Sequence, residues 1–273
     1  MRTTDKRPAI RTGEENRVLF ILIVIGFIGG ILTGLLSIGG GLILIFLLLL
    51  IPPLFGQEYT MHTIAGMVIL QTIFSAGTGL IGYWRNRLID WFLIRYMGVG
   101  SFIGGLSGGA LSESINNEVL TAIFAVLSLV ATASMFMRRT ESDSAPYRNP
   151  LLAAAFGIGI GLLGGMFGVG AGFLYLPVMM NVFKINSRTA VGTGLAIGIL
   201  LVVGAAIGKS TGSGLPWLEG LLLPVGAIPG GLVGSLLGQK LKIKSLRFFM
   251  ALTIIAITVK IWADLLQSFG VFS

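Results

Sequence analysis

The sequence contains no cysteine, a single histidine and few charged residues. Cysteine is absent from all 273 residues, which excludes disulfide bonds, thiolate metal sites and cysteine nucleophiles. The single histidine, His62, cannot form a metal site by itself, because such sites use several histidine or cysteine ligands. Charged residues make up only 11%, whereas a soluble domain carries about a quarter. We therefore predict no bound metal and no cofactor, and no group of residues in the sequence indicates an enzyme.

What the chain has in abundance is apolar sequence. Hydrophobic residues make up 54%, and the mean hydropathy is +0.92. At roughly 20 residues per crossing, this length predicts an all-α polytopic membrane protein with eight to ten membrane segments. The net charge of +8 does not indicate nucleic-acid binding, because lysine and arginine lie in short loops where they set topology. The expected surroundings are therefore the lipid bilayer.

Two glycine clusters interrupt the apolar sequence at matching places. Residues 34–46 read GLLSIGGGLILIF, and residues 165–177, which lie 131 positions later, read GMFGVGAGFLYLP. This register aligns Gly39 with Gly170 and Gly41 with Gly172. Glycine-broken apolar segments in corresponding positions of two halves are typical of a transporter's binding site.

The repeat divides the chain into two membrane halves. We predict a polar tail at 1–16, a first membrane repeat at 17–137, a linker at 138–149 and a second repeat at 150–273. Each glycine cluster is followed by a short apolar piece. The first piece, of about 14 residues, reaches only some 21 Å, which favours a half-helix or a re-entrant element surrounded by protein.

Loop charges indicate that the two halves face opposite ways. The basic turn with Arg85 and Arg87 matches a loop that carries only Lys209, while the acidic turn 112–118 matches the basic turn 240–247. Under the positive-inside rule this predicts an inverted repeat of five crossings per half with both ends outside. The basic amino-terminal tail favours an alternative, in which eight crossings and two re-entrant pieces keep the tail inside.

The glycine breaks are the candidate substrate site. The amino terminus of a half-helix presents unpaired N–H groups and a positive dipole end, which suits a small oxyanion. Nearby hydroxyl groups would add hydrogen bonds, although capping alone accounts for each of them singly. The candidate substrate-binding residues are Ser37, Gly39, Gly40, Gly41, Thr63, Gly170, Gly172, Thr189 and Thr193. Most other glycines, such as those one turn apart in the fourth span of each half, are explained by helix packing.

Two further sequence features have competing interpretations. His62 lies at the head of a span and is the proton-coupling candidate, because histidine titrates near neutral pH; the alternative is a simple interfacial residue. The stretch 204–210, GAAIGKS, is similar to a phosphate-binding loop. Its glycine spacing is one residue short and no strand precedes it, so we interpret it as a helix end.

From about residue 20 onward the chain resembles the TauE/SafE family of sulfite-exporter-like membrane proteins. The resemblance rests on the repeated glycine cluster followed by Pro177, the sequence AVGT at 190–193, the turn YWRNR at 83–87 and the glycine-rich fourth span of each half. Phe46 departs from it, since the family usually has proline there. The resemblance implies export or uptake of small sulfur-containing anions, such as sulfite, thiosulfate or organosulfonates, across a prokaryotic plasma membrane.

The leading hypothesis is therefore a multi-pass secondary transporter of a small anion, in particular a sulfur oxyanion or organosulfonate, with protons as possible coupling ions. The sequence leaves open the exact ion, the direction of transport and the oligomeric state. A second hypothesis is a non-transporting accessory or scaffold subunit, and a third is an anion channel. The duplicated break argues against a scaffold, which needs no matched discontinuities.

Overall fold

A computed structural model describes residues 12–36, 40–55, 59–136, 145–212, 216 and 220–240. Within these ranges every regular element is helical, which confirms the all-α class. The helices are α1 (Thr12–Leu36), α2 (Gly40–Leu50), a 3-10 turn (Pro52–Phe55), α3 (Met61–Arg85), α4 (Trp91–Leu93), a π-helical turn (Ile94–Gly98), α5 (Val99–Ser114), α6 (Asn117–Phe136), α7 (Pro150–Phe167), α8 (Gly172–Asn181), α9 (Ser187–Lys209) and α10 (Leu222–Lys240). The predicted last span and most of the basic turn before it lie outside the described residues.

Four of the described helices are long and apolar enough to cross a membrane, namely α3, α7, α9 and α10. Three shorter apolar helical stretches are Leu19–Leu35 in α1, the whole of α2 and Asn117–Val130 in α6. Large apolar side chains stand on the outer surface, with Leu151 80% and Phe20 67% exposed. An outer surface of this kind is stable in lipid, so the molecule is a polytopic membrane protein.

Polar side chains fix where the long helices begin. Thr60, Asn149 and Asn186 precede α3, α7 and α9, and each accepts a hydrogen bond from a backbone N–H in the first turn. The asparagine before α9 accepts from the Thr189 N–H at 2.9 Å. Such caps satisfy amides that have no partner within the helix.

Three parallel helices, α1, α3 and α10, form what we call group one. Backbone meets backbone where α1 and α10 cross, because Gly26 lies against Leu223 and, two turns later, Gly34 lies against Gly231. Residue numbers rise together along both helices, so they run in the same direction. The same direction holds for α3, since Gly79 approaches Gly231 and, further along, Gly82 approaches Ser235. Small residues permit this close approach between membrane helices.

Group two consists of α5, α7 and α9, which are parallel to one another in the same way. Gly100 lies against Ala154 and Gly108 against Leu162, which pairs α5 with α7. Gly109 lies against Ala205, which pairs α5 with α9. Each group therefore contains helices from both predicted halves of the chain.

The two groups meet along a seam between α3 and α9, which run antiparallel. Gly192, near the start of α9, packs on Tyr83 near the end of α3, whereas Gly66 near the start of α3 lies beside Lys209. Because α1 and α3 point the same way, the chain must return between them through α2. The same reasoning applies to α8, between α7 and α9. These directions are the ones that an inverted repeat requires, and the repeat itself stays a prediction.

Candidate functional site

The two glycine breaks meet at one cavity on the seam between the groups. Helix α2 begins at Gly40 and helix α8 begins at Gly172, and both amino termini line this cavity. Its volume is about 20 Å³, enough for a water-sized group. The lining residues are Thr33, Gly40, Gly41, Leu42, Thr72, Ala76, Val169, Gly170, Ala171, Gly172, Phe173, Gly194, Leu195 and Gly198.

The second break holds two residues in left-handed backbone conformation. Gly168 ends α7 with φ 67°, and its N–H donates to the Gly165 carbonyl at 3.4 Å. Ala171 precedes α8 with φ 45°. This conformation suits glycine but costs an alanine about 1–2 kcal/mol. The cavity wall at Ala171 is therefore strained, as is common at functional sites.

The cavity has no charged side chain in its lining. Its electrostatic character comes from the amino ends of α2 and α8, where the first N–H groups have no partner within the helix and the dipole is positive. Each helix end carries roughly half an elementary charge. Two such ends attract a small anion without holding it as a full positive charge would.

Two threonine hydroxyl groups and one buried amide lie in or beside the cavity. Thr33 Oγ1 donates to the Gly29 carbonyl at 2.8 Å, and Thr72 Oγ1 lies at a long 3.4 Å from Gln71 Oε1. The Gln71 side chain is fully buried, and its Nε2 has no hydrogen-bond partner among the described residues. An unsatisfied buried donor costs about 1–3 kcal/mol, so its retention calls for an explanation such as a ligand.

The structure brings four of the predicted site residues together and places three elsewhere. Gly40, Gly41, Gly170 and Gly172 line the cavity. Ser37 and Gly39 lie outside the described residues. The other three are described in the next paragraph.

Thr63, Thr189 and Thr193 do not line the cavity. The first two stand in the opening turns of α3 and α9, where their N–H groups bond the helix caps. Thr193 is buried, and its hydroxyl accepts from the Asp90 N–H at 2.8 Å, which ties α9 to the start of α4. Its neighbour Gly194 lines the cavity instead.

Thr72 and Gly198 are lining residues that the sequence reasoning did not select. The sequence did contain a signal for them. Residues 63–66 read TIAG and residues 189–192 read TAVG, which matches the two halves at an offset of 126 residues. The same offset matches Thr72 with Gly198. Both face the cavity from equivalent places on α3 and α9.

His62 lies at one end of the seam, away from the cavity. It is in the first turn of α3, and its Nδ1 is 3.9 Å from Oε1 of Glu113 at the end of α5. The same carboxylate oxygen is bound by Nζ of Lys209, which is only 1% exposed. Helix α9 continues to Lys209, so the interpretation of 204–210 as a helix end is confirmed. Pairing offsets much of the cost of burying these two charges.

Membrane-spanning helices around a small uncharged cavity with two helix ends are the features of a membrane transporter, and the comparisons with known proteins agree. The chain belongs to the TauE/SafE sulfite exporter family, whose model matches residues 22–261. It is similar to the probable membrane transporter proteins YunE and YjnA of Bacillus subtilis, with 27% identity over 87% of this chain and 94% of the first, and 25% over 88% of this chain and 98% of the second. It is also similar to the probable membrane transporter protein MJ0441 of Methanocaldococcus jannaschii, with 25% identity over 86% of this chain and 91% of that protein. No solved structure matches the chain.

Proposed function

We propose that the protein is a secondary transporter of a small anion in a prokaryotic plasma membrane, with a sulfur oxyanion or organosulfonate as substrate. The observation that carries the proposal is the meeting of two helix amino termini, one from each glycine break, at a single cavity. The family name supports the choice of a sulfur anion. No chemical step on the substrate is part of this function.

The location of the cavity supports a transport cycle. It lies on the seam between group one and group two, and helices of both groups line it. Rocking of one helix group against the other would open the cavity to each side of the membrane in turn, as in transporters built from repeats. A site built from fractional helix-end charges and hydroxyl groups favours binding that is weak enough for release.

Anion counterflow in proteoliposomes tests the function. Purified protein would be reconstituted in vesicles loaded with sulfite, thiosulfate, sulfate or a small sulfonate, with chloride as the reference anion. Saturable exchange of one sulfur anion is expected. Flux that rises linearly with concentration and does not exchange would identify a channel, and folded protein without any flux would favour the accessory-subunit alternative.

A matched pair of variants ties the flux to the cavity. Gly170→Leu places a bulky side chain in the cavity and should abolish counterflow. Gly159→Leu makes the same change on α7, where a side chain meets no atom within 4 Å, and should transport normally. Equal flux in the two variants would contradict the assignment of the site.

A further inference from the structure

A titratable cluster joins the two helix groups at one end of the seam. His62 belongs to α3 of group one, whereas Glu113 and Lys209 belong to α5 and α9 of group two. In the part of the chain that the structure describes, the pair of His62 and Glu113 connects the two groups. The pairs of Lys209 with Glu113 and of Arg148 with Asp90 do not bridge the seam.

One carboxylate oxygen of Glu113 faces both Lys209 and His62. Lys209 Nζ binds Glu113 Oε1. His62 Nδ1 stands 3.9 Å from the same oxygen, beyond hydrogen-bond length but within reach of a small movement. The side chains of His62 and Glu113 are 24% and 10% exposed, so protons can reach the pair while water screens it only in part.

We propose that this cluster is a proton-operated latch across the seam. A proton on His62 draws the imidazole onto Glu113 and ties α3 to α5 and α9; loss of the proton releases α3. The inference rests on the proposed function, because the seam leads from the latch to the cavity. Ten residues of α3, about 15 Å, separate His62 from Thr72 in the cavity wall. The latch closes this end of the seam at lower pH.

Charged residues lie on several of the helices that pack on α3. Histidine is the side chain that ordinarily titrates between pH 5 and 8. The other charged residues on helices that pack on α3 are Glu118 on α6, Arg188 on α9, Lys240 on α10, and Glu14, Glu15 and Arg17 at the start of α1. Arg188 and Lys240 stand at the opposite end of the seam, Glu118 is exposed, and α2 and α7 carry no charged residue. Lys209 keeps its partner in both states.

Hydrogen exchange of the full chain in lipid nanodiscs tests the latch directly. Exchange would be measured by mass spectrometry at about pH 5.5 and about pH 8, the range in which histidine titrates, and corrected for intrinsic rates. We expect the amides in the first turn of α3 and the last turn of α5 to exchange about two- to fivefold more slowly at the lower pH, the factor that corresponds to a partly exposed ion pair. The same rates at both pH values in the wild-type chain would overturn the proposal.

Two substitutions at one position separate the latch from general pH effects. His62→Gln removes the titratable group and leaves the pair of Glu113 and Lys209 intact, so exchange should be fast at both pH values. His62→Lys supplies a permanent positive charge, so exchange should be slow at both. A pH dependence that persists in His62→Gln would assign it to another group and refute the latch.

Counterflow on the same preparations keeps this inference distinct from the proposed function. A latch without any anion flux would overturn the transporter assignment and leave the proton site standing. Anion flux without a pH-dependent latch would overturn the latch and leave the transporter assignment standing. In the expected case, the pH dependence of flux in the wild-type chain disappears in His62→Gln.

Discussion

Alanine at Gly170 would place a methyl group in the cavity without displacing its walls. The added carbon lies 3.4 Å from Thr72 Cγ2 and 3.9 Å from Gly198 Cα, which are ordinary van der Waals distances. Filling a cavity of about 20 Å³ returns about 0.5 kcal/mol at about 24 cal/mol per Å³. Replacing glycine with alanine also lowers the entropy of the unfolded chain, which adds about 0.4–1 kcal/mol.

The Gly170→Ala variant should therefore be more stable than the wild type, and it should be less active because the methyl group occupies the substrate cavity. We expect the free energy of unfolding to rise by about 0.9–1.5 kcal/mol. Anion counterflow should fall by about tenfold or more, since the loss of about 1.4 kcal/mol of substrate binding is already tenfold. A purely structural glycine would behave in the opposite way, because its substitution lowers stability first and activity only as a consequence.

The assay compares Gly170→Ala with Gly159→Ala in counterflow and in thermal unfolding. Gly159 is exposed on α7 and has no atom within 4 Å of an added methyl group, so that variant should keep its flux. Wild-type flux in Gly170→Ala, or a clear loss of its stability, would refute the reasoning. Gly40 is a poorer probe, because a methyl group there would overlap Thr33 Oγ1 and disturb the junction of α1 and α2.

Three other substitutions test separate parts of the structure. Thr72→Val removes a hydroxyl group from the cavity wall. The anion concentration for half-maximal counterflow should rise about tenfold or more, as expected for the loss of a hydrogen bond to a charged ligand. An unchanged concentration would show that Thr72 does not belong to the site. Gln71→Met removes an unsatisfied buried donor. In thermal unfolding without substrate, this change should raise the free energy of unfolding by about 1–2 kcal/mol. A loss of stability would mean that the amide has a partner. Gly226→Ala directs a methyl group at the Ile23 carbonyl in the contact of α1 with α10 and should lower stability by about 1–3 kcal/mol, while Gly77→Ala, which meets no atom within 4 Å, should not.

The membrane class could be predicted from composition and apolar runs, because hydrophobic length alone decides what can span a bilayer. The glycine clusters also marked the places where α2 and α8 begin. Helices α2 and α8 begin at Gly40 and Gly172. The glycine clusters before and around these positions end the preceding helices, because glycine has a low helix propensity. That is a local effect, so the sequence shows it.

The parts that sequence reasoning missed depend on contacts between distant residues. The repeat matches Thr72 with Gly198, but only the antiparallel packing of α3 on α9 places both residues in the wall of one cavity. Lys209 looked like a loop charge that sets topology. It is buried because Glu113, 96 residues earlier in the chain, stands beside it. No local pattern carries information of this kind.

The mixed composition of the helix groups has a consequence for how the protein is made. The glycine face of α1 finds its partner on α10, which begins about 200 residues later in the chain. At 5–20 residues per second, a ribosome needs about 10–40 s to supply that partner. During this interval the newly inserted first helix has lipid where its neighbour will lie, so the amino-terminal half is an open assembly intermediate. Cells that express the two halves as separate chains should therefore recover a functional protein only when both are synthesised together.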